Sequence, residues 1–340
     1  MVCSSDEHIE IMESAAEMCI GKKNIINMSS YLFTIVLLIV IFKIFIRQEQ
    51  LELLVKIRLE AWVLFTLFVL INYSLGGLQY LCMKKQYGIS LEKKDIVLLP
   101  VVMNLWNYII PIQGSAVFFT LFLRHKYQVK VADSFSVTIF LYLVTLVFSG
   151  IFGLVFSFYY ELGFSLFALI SILFLLNPLL IVVGYRILRH VPDVRNHFFL
   201  AVFKFTERVV GNLTSLWLDY KNTGIIFLLY ILRTIVVVFW FMLIAKELGY
   251  HEVTFFALLL LSLWRNVSLV LKFTPNNLGI MQIVSGTLFA LIHFQPEQGV
   301  MISLVASASS LIVAVTVGLA GNFYYFHSWS REGLSHGEID

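Results

Sequence analysis

Thr274-Pro275-Asn276-Asn277-Leu278-Gly279 breaks an apolar stretch that begins at Val253 and resumes through Phe294. A weaker echo, Pro111-Ile112-Gln113-Gly114, breaks the stretch from Ile96 to Leu123. Proline removes a backbone donor and glycine loosens a helix, so each break frees main-chain polar groups. The rest of the chain is built of membrane-length apolar blocks, which puts those groups at membrane depth. Hydrocarbon cannot satisfy them, and they survive only where protein or a watery cavity surrounds them. Paired interruptions in corresponding places of two halves point to a substrate site.

Composition sets the fold class. Of 340 residues, 59% are hydrophobic and 13% charged, and the mean hydropathy is +0.88; a soluble domain is nearer roughly 45–50% and 25%. The excess falls in blocks at residues 31–46, 62–81, 135–160, 162–187, 225–245 and 300–326. A spanning helix takes about 20 apolar residues, whereas a barrel needs alternation, which these blocks lack. The expectation is an all-α, polytopic membrane helix bundle. Its 15% aromatic content suits interfacial belts, as at Tyr159-Tyr160 and Tyr324-Tyr325. Cys3, Cys19 and Cys82 have neither metal spacing nor a disulfide framework. No metal, cofactor or nucleic-acid partner is expected.

The basic residues set the topology. If both broken segments dip in and return, six full crossings remain. Sixteen Lys and Arg then share one side, among them Lys84, Lys94, Lys126, Arg208 and Lys221, against four on the other: Arg47, Lys56, Arg58 and Lys246. Positive-inside orientation puts the first side, with both termini, in the cytoplasm of a plasma (inner) membrane protein. Each half then reads helix, helix, broken segment, helix, and three crossings per half make the halves inverted repeats. Phe135 follows Gly114 by 21 positions, and Val300 follows Gly279 by 21. The expected organisation is a cytoplasmic extension over residues 1–30 (with Met28 as an alternative start), one membrane domain over 31–326, and a tail over 327–340. Within the domain, 31–160 and 161–326 are the repeats. Residues 188–222 form a cytoplasmic linker whose apolar positions, Phe198 to Trp217, recur at helical spacing. That helix suits either the anionic leaflet or packing on the bundle.

No acidic residue falls in the middle of an apolar block, which disfavours a carboxylate relay. Arg233 lies well inside its block, and Arg265 and Lys272 sit in the first arm of the second break. Buried cations without a buried anion fit a lipid phosphate, for which arginine has a planar fork, and half-helix N-termini add positive partial charge. The alternative for Arg233 is pairing with backbone carbonyls or a polar side chain; Lys43 snorkels. Catalytic patterns such as His-x-x-x-His or Gly-x-Ser-x-Gly are absent, and His293 is the one histidine placed to close an arm of a break.

Met83-Lys84-Lys85, Asn104, Pro111-Ile112-Gln113-Gly114 with Leu123-Arg124, and Pro275 through Gln282 resemble the transmembrane region of lysylphosphatidylglycerol synthases and its stand-alone flippase-like relatives. The resemblance runs over about residues 31–326. It departs at Ser115 and Gln282, where the family often has Glu, and at Phe118, where it often has Arg. It implies the membrane part without an aminoacyltransferase domain, since no such domain is expected beyond Phe326.

The expectation is therefore a translocase for lipids or lipid-linked saccharides in envelope assembly, without catalytic residues. Its headgroup contacts would be Arg265, Lys272, Asn276, Asn277, Gln282, Asn104, Gln113, Ser115, Arg124 and Arg233. Pro111, Gly114, Pro275 and Gly279 would be the structural breaks. Its partners would be lipids with anionic or saccharide headgroups, and envelope synthesis enzymes. The competing classes are a polyprenyl-phosphate-dependent glycosyltransferase, for which Glu49 and Glu52 are the acidic candidates, and a scaffold of an envelope synthesis complex.

Overall fold

The computed structural model describes residues 48–110, 113–159, 168–176, 197–265 and 274–336, with residues 35, 36, 39, 179 and 183. The N-terminal extension, Lys43, Pro111, Lys272, the start of the linker and the last four residues lie outside the described residues, as do most of the apolar blocks 31–46 and 162–187.

The described chain is helical throughout. In order come α1 (Gln48–Lys56), α2 (Leu59–Leu78, continued by a tight turn into α3, Cys82–Tyr87), α4 (Lys93–Ile109), α5 (Gly114–Tyr127) and α6 (Val131–Tyr159). After them come α7 (His197–Leu218), α8 (Tyr220–Glu247), α9 (Phe255–Trp264), α10 (Ile280–Leu291), α11 (Pro296–Val313) and α12 (Leu319–His336). A π-helical turn, Ala314–Gly318, joins the last two into one span. Among the described residues four helices are long and apolar enough to cross a membrane: Leu59–Lys84, Val131–Tyr159, Tyr220–Glu247 and Pro296–Trp329. They match four of the six expected crossings. Leu64, Leu67, Ile71, Leu228, Ile235 and Phe239 remain exposed on them, as hydrocarbon-facing side chains do. Local signals start the helices: Asp219 accepts the Asn222 N–H before α8, and Thr254 accepts the Ala257 N–H before α9.

Both broken segments fold back on themselves. Lys126 at the end of α5 reaches Asp95 at the start of α4, 2.7 Å away, and the Tyr127 hydroxyl donates to the Ser90 carbonyl. In the second pair, Gln298 just after α10 donates to Glu252 just before α9. The two bases lie at opposite ends of the last span. Tyr325, near its C-terminal end, donates to Asp95, while Gln298 belongs to its first turn. The tips meet at its middle, where Asn104 donates to Ser310 and Gln282 to Ser307. Arg58 pairs with Glu247 at 2.8 Å, which sets the start of α2 beside the end of α8. Lys84, Lys94, Lys126, Arg208 and Lys221 thus gather at the first hairpin's end of the bundle, and Lys56, Arg58 and Lys246 at the other. Val131 follows Gly114 by 17 positions and Pro296 follows Gly279 by 17, so each break stands equally far from the next span.

The linker helix α7 packs on the bundle. Val209, Val210, Leu213 and Leu216 are buried in a cluster with Val137 and Phe140 of α6, and each such burial is worth about 1.5–3 kcal/mol. Arg208 grips Asp133 with two bonds of 2.9 Å, and Asn212 donates to the same carboxylate.

Candidate functional site

Between the hairpin tips and the middles of α2, α6 and α8 lies a cavity of about 250 Å³. Each wall follows from a local feature. On α2, Asn72, Gly76 and Gln79 fall at i, i+4 and i+7, one helical face in an otherwise apolar span. The first tip contributes Asn104, Asn107 and Ser115. There Ser115 donates its N–H to Asn107, and Gly114 lies so close to α4 that a Cβ would sit 2.1 Å from the Trp106 carbonyl oxygen. Gln113 holds φ 59° at the turn and accepts from the Tyr142 hydroxyl, itself a cavity wall.

The second tip is built around strained backbone. Asn276 and Asn277 take φ of 46° and 59°, a left-handed conformation that asparagine tolerates better than most residues. Gly279 takes φ 85°, where a side chain would be strained. Its N–H donates to Gln282 at 2.7 Å, and the other end of the Gln282 amide donates to Ser307 at 3.2 Å. The Gln282 side chain is therefore a fully buried clamp between tip and span.

Two guanidiniums give the cavity its charge. Arg233 of α8 donates to Asn72 at 3.2 Å and to Gln79 at 2.8 Å, both neutral, with Gly76 leaving room for it. Arg265, at the end of α9, lies 5.5 Å from the centroid of the Trp240 ring. Among the described residues no Asp or Glu lines the cavity. Tyr73, Tyr80, Tyr142 and Tyr230 supply phenols, and Tyr73 shares a 2.7 Å hydrogen bond with Ser310. Thr145 and Thr234 turn their hydroxyls back to their own helix carbonyls, which satisfies them without water. The result is a net cationic chamber of amides and hydroxyls at mid-bundle, suited to a phosphate with attached hydroxyls.

Of the residues named from sequence, Arg233, Arg265, Asn104, Ser115, Asn276 and Asn277 all line this cavity. Gln113 stands one hydrogen bond behind it, and Gln282 supports the tip. Arg124 is exposed near the first hairpin's base, well away from the chamber. His293 is exposed beyond the end of α10. Phe118 is buried in an aromatic cluster with Trp106, Tyr325 and Trp329 that fastens the first hairpin to the last span. Sequence reading missed Asn72, Gln79, Asn107 and the tyrosines. The i, i+4, i+7 stripe on α2 was the signal available for the first two.

The family described as lysylphosphatidylglycerol synthase TM region matches residues 27–318. Comparison with curated proteins and with solved structures gives no match.

Proposed function

This chain belongs to the lysylphosphatidylglycerol synthase transmembrane-region family and is a multi-pass integral membrane protein of lipid handling, and from that premise we propose that it translocates a lipid with a phosphate-bearing headgroup. The headgroup passes through the central cavity while the acyl chains stay in the bilayer. One observation carries this reading: a cationic chamber without a carboxylate among its described lining residues, framed by two hairpin tips whose bases lie at opposite ends of the bundle. In this reading the hairpins are re-entrant and the two halves inverted repeats, which the equal 17-residue spacing supports. The arginine-rich chamber offsets the cost of bringing an anion to the bilayer centre. The basic end faces the cytoplasm of the plasma membrane, and lipid-linked saccharides belong to the same substrate class because amides and phenols suit sugar hydroxyls.

The test is leaflet-specific chemical labelling of phosphatidylglycerol in proteoliposomes. Wild type should equilibrate the label between leaflets, and Arg265→Gln should not. Equal rates in protein-free vesicles and proteoliposomes would remove the translocase reading.

A further inference from the structure

Hydrogen-bond donors and acceptors are unevenly divided on the chamber wall. Arg233 donates through Nε to Asn72 and through a terminal nitrogen to Gln79, and Asn107 accepts the Ser115 N–H at 2.8 Å. A guanidinium and a backbone N–H only donate, so all three carboxamides present their oxygens to the protein. Their NH2 groups are the polar ends left over, on residues that line the cavity. The rest of the Arg233 fork has no partner among the described residues. The acceptors that remain on the wall are neutral, among them the hydroxyl oxygens of Thr145 and Thr234, and no carboxylate occurs among the described lining residues.

We propose that this donor-rich wall selects by headgroup charge: it takes a phosphate diester of a polyol, as in phosphatidylglycerol, and rejects a headgroup that carries an ammonium, as in phosphatidylethanolamine. Phosphate oxygens accept from the Arg233 fork and from the remaining amide ends. Polyol hydroxyls do both, accepting from the amides and donating to threonine and tyrosine oxygens. An ammonium only donates, and it would enter a cavity that already holds the two guanidiniums of Arg233 and Arg265. Phenol faces can hold a cation, but here the same two charges oppose it. A juxtaposed like charge is a general means of refusing a wrong ligand.

This selectivity deepens the translocase reading and rests on it. It also gives Asn107 a specific part. The Asn107 oxygen holds the first tip through the Ser115 N–H, so Asn107→Asp keeps that hydrogen bond and turns one donor of the wall into an anion. Asn104→Asp, one turn earlier on α4, makes the same exchange from a second lining position, where the Ser310 hydroxyl can donate in its turn.

The experiment compares two lipids in proteoliposomes of the full chain that contain phosphatidylglycerol and phosphatidylethanolamine in equal parts. Each is followed with its own impermeant headgroup reagent, periodate for the glycerol diol and an amine-reactive sulfonate for the ethanolamine. Above the rate in protein-free vesicles, wild type should move phosphatidylglycerol faster than phosphatidylethanolamine by about tenfold or more. Asn107→Asp and Asn104→Asp should bring that ratio toward one, slowing the first lipid and quickening the second. Equal rates in wild type would overturn the selectivity and leave the translocase reading standing. An unchanged ratio in Asp variants that melt like wild type would overturn its assignment to the chamber wall. Movement of neither lipid above protein-free vesicles would remove both readings together.

Discussion

The carbonyl oxygen of Ile96 rests directly on Gly77, so close that a Cβ there would lie 1.8 Å away. The reason is four residues further along α4. Pro100 has no N–H, so the Ile96 carbonyl loses its helical donor. The bare Cα of α2 covers the oxygen instead. A Cβ added to the neighbouring Gly76 would meet the Arg233 guanidinium at 3.4 Å, an ordinary contact. Two adjacent glycines therefore serve two purposes, one seating the first hairpin and the other seating a cavity cation.

That difference separates two substitutions. Gly77→Ala must push α4 off α2, a backbone displacement expected to cost about 1–3 kcal/mol or more. Gly76→Ala meets a side-chain end at ordinary contact distance rather than backbone and should melt close to wild type. Thermal unfolding of the two purified variants side by side decides it; equal melting would mean that the close seat is dispensable.

The base of the first hairpin predicts an acid response. Lys126, and then Lys94, hold the Glu92 carboxyl down at about 2. A depressed carboxyl stabilises the fold fully above its ordinary value, and that contribution fades as pH falls from about 4.5 toward 2. Lys126→Gln removes the largest cause, so the acid-labile contribution of Glu92 should shrink and its loss should be complete nearer the ordinary carboxylate range. The same change takes the cation from the fully buried Asp95 carboxylate, which keeps the Tyr325 hydroxyl as a donor, and should cost up to about 3 kcal/mol at neutral pH. Melting temperature followed from pH 7 to pH 3 in both proteins tests the shift. Superimposable curves would refute it.

Different parts of the site reveal themselves in sequence to different degrees. Asn276 and Asn277 stand out because polar residues follow a proline inside an apolar run, and no other physical setting suits them there. Arg233 and Arg265 stand out because a buried cation has to be explained. Asn72 and Gln79 show only as a polar stripe with Gly76, whose purpose is not legible until the partner from α8 is known, and the Arg233–Asn72 pairing spans 161 residues. Gln282, expected among the headgroup contacts at a position where the family often has Glu, turns its amide oxygen back to the Gly279 N–H. Only the three-dimensional path of the tip decides which way such a side chain points. Arg124 misled for a similar reason: α5 carries it to the hairpin base, away from the tip that the motif marks.

A glycosyltransferase needs a carboxylate that acts in chemistry, and α1 supplies the two candidates named from sequence. Glu52 lies 3.8 Å from Lys56 one turn along the same exposed helix. Exposed pairs of this kind contribute about 0.5 kcal/mol or less. Glu49→Gln with Glu52→Gln should therefore leave lipid movement and stability as they are. Loss of activity in the double variant would favour the transferase class.

The sharpest test lies at the second tip. Arg265 lies over the Trp240 ring and lines the chamber, and Gln keeps a polar amide at that position without the cationic fork. Arg265→Gln together with Lys272→Gln should accordingly express and melt near wild type while transport falls by a hundredfold or more, the order expected when about 3 kcal/mol of phosphate binding is lost. Gly279→Leu should fail in the opposite way. Its φ of 85° excludes a branched side chain, and the cap from Gly279 N–H to Gln282 would be displaced. That variant should be poorly assembled, with whatever protein survives showing reduced thermal stability. Paired measurement of yield, melting and leaflet exchange separates the two failures. Full transport by the Arg265→Gln, Lys272→Gln protein would sink the anion chamber and leave the tip as a structural knot between the halves.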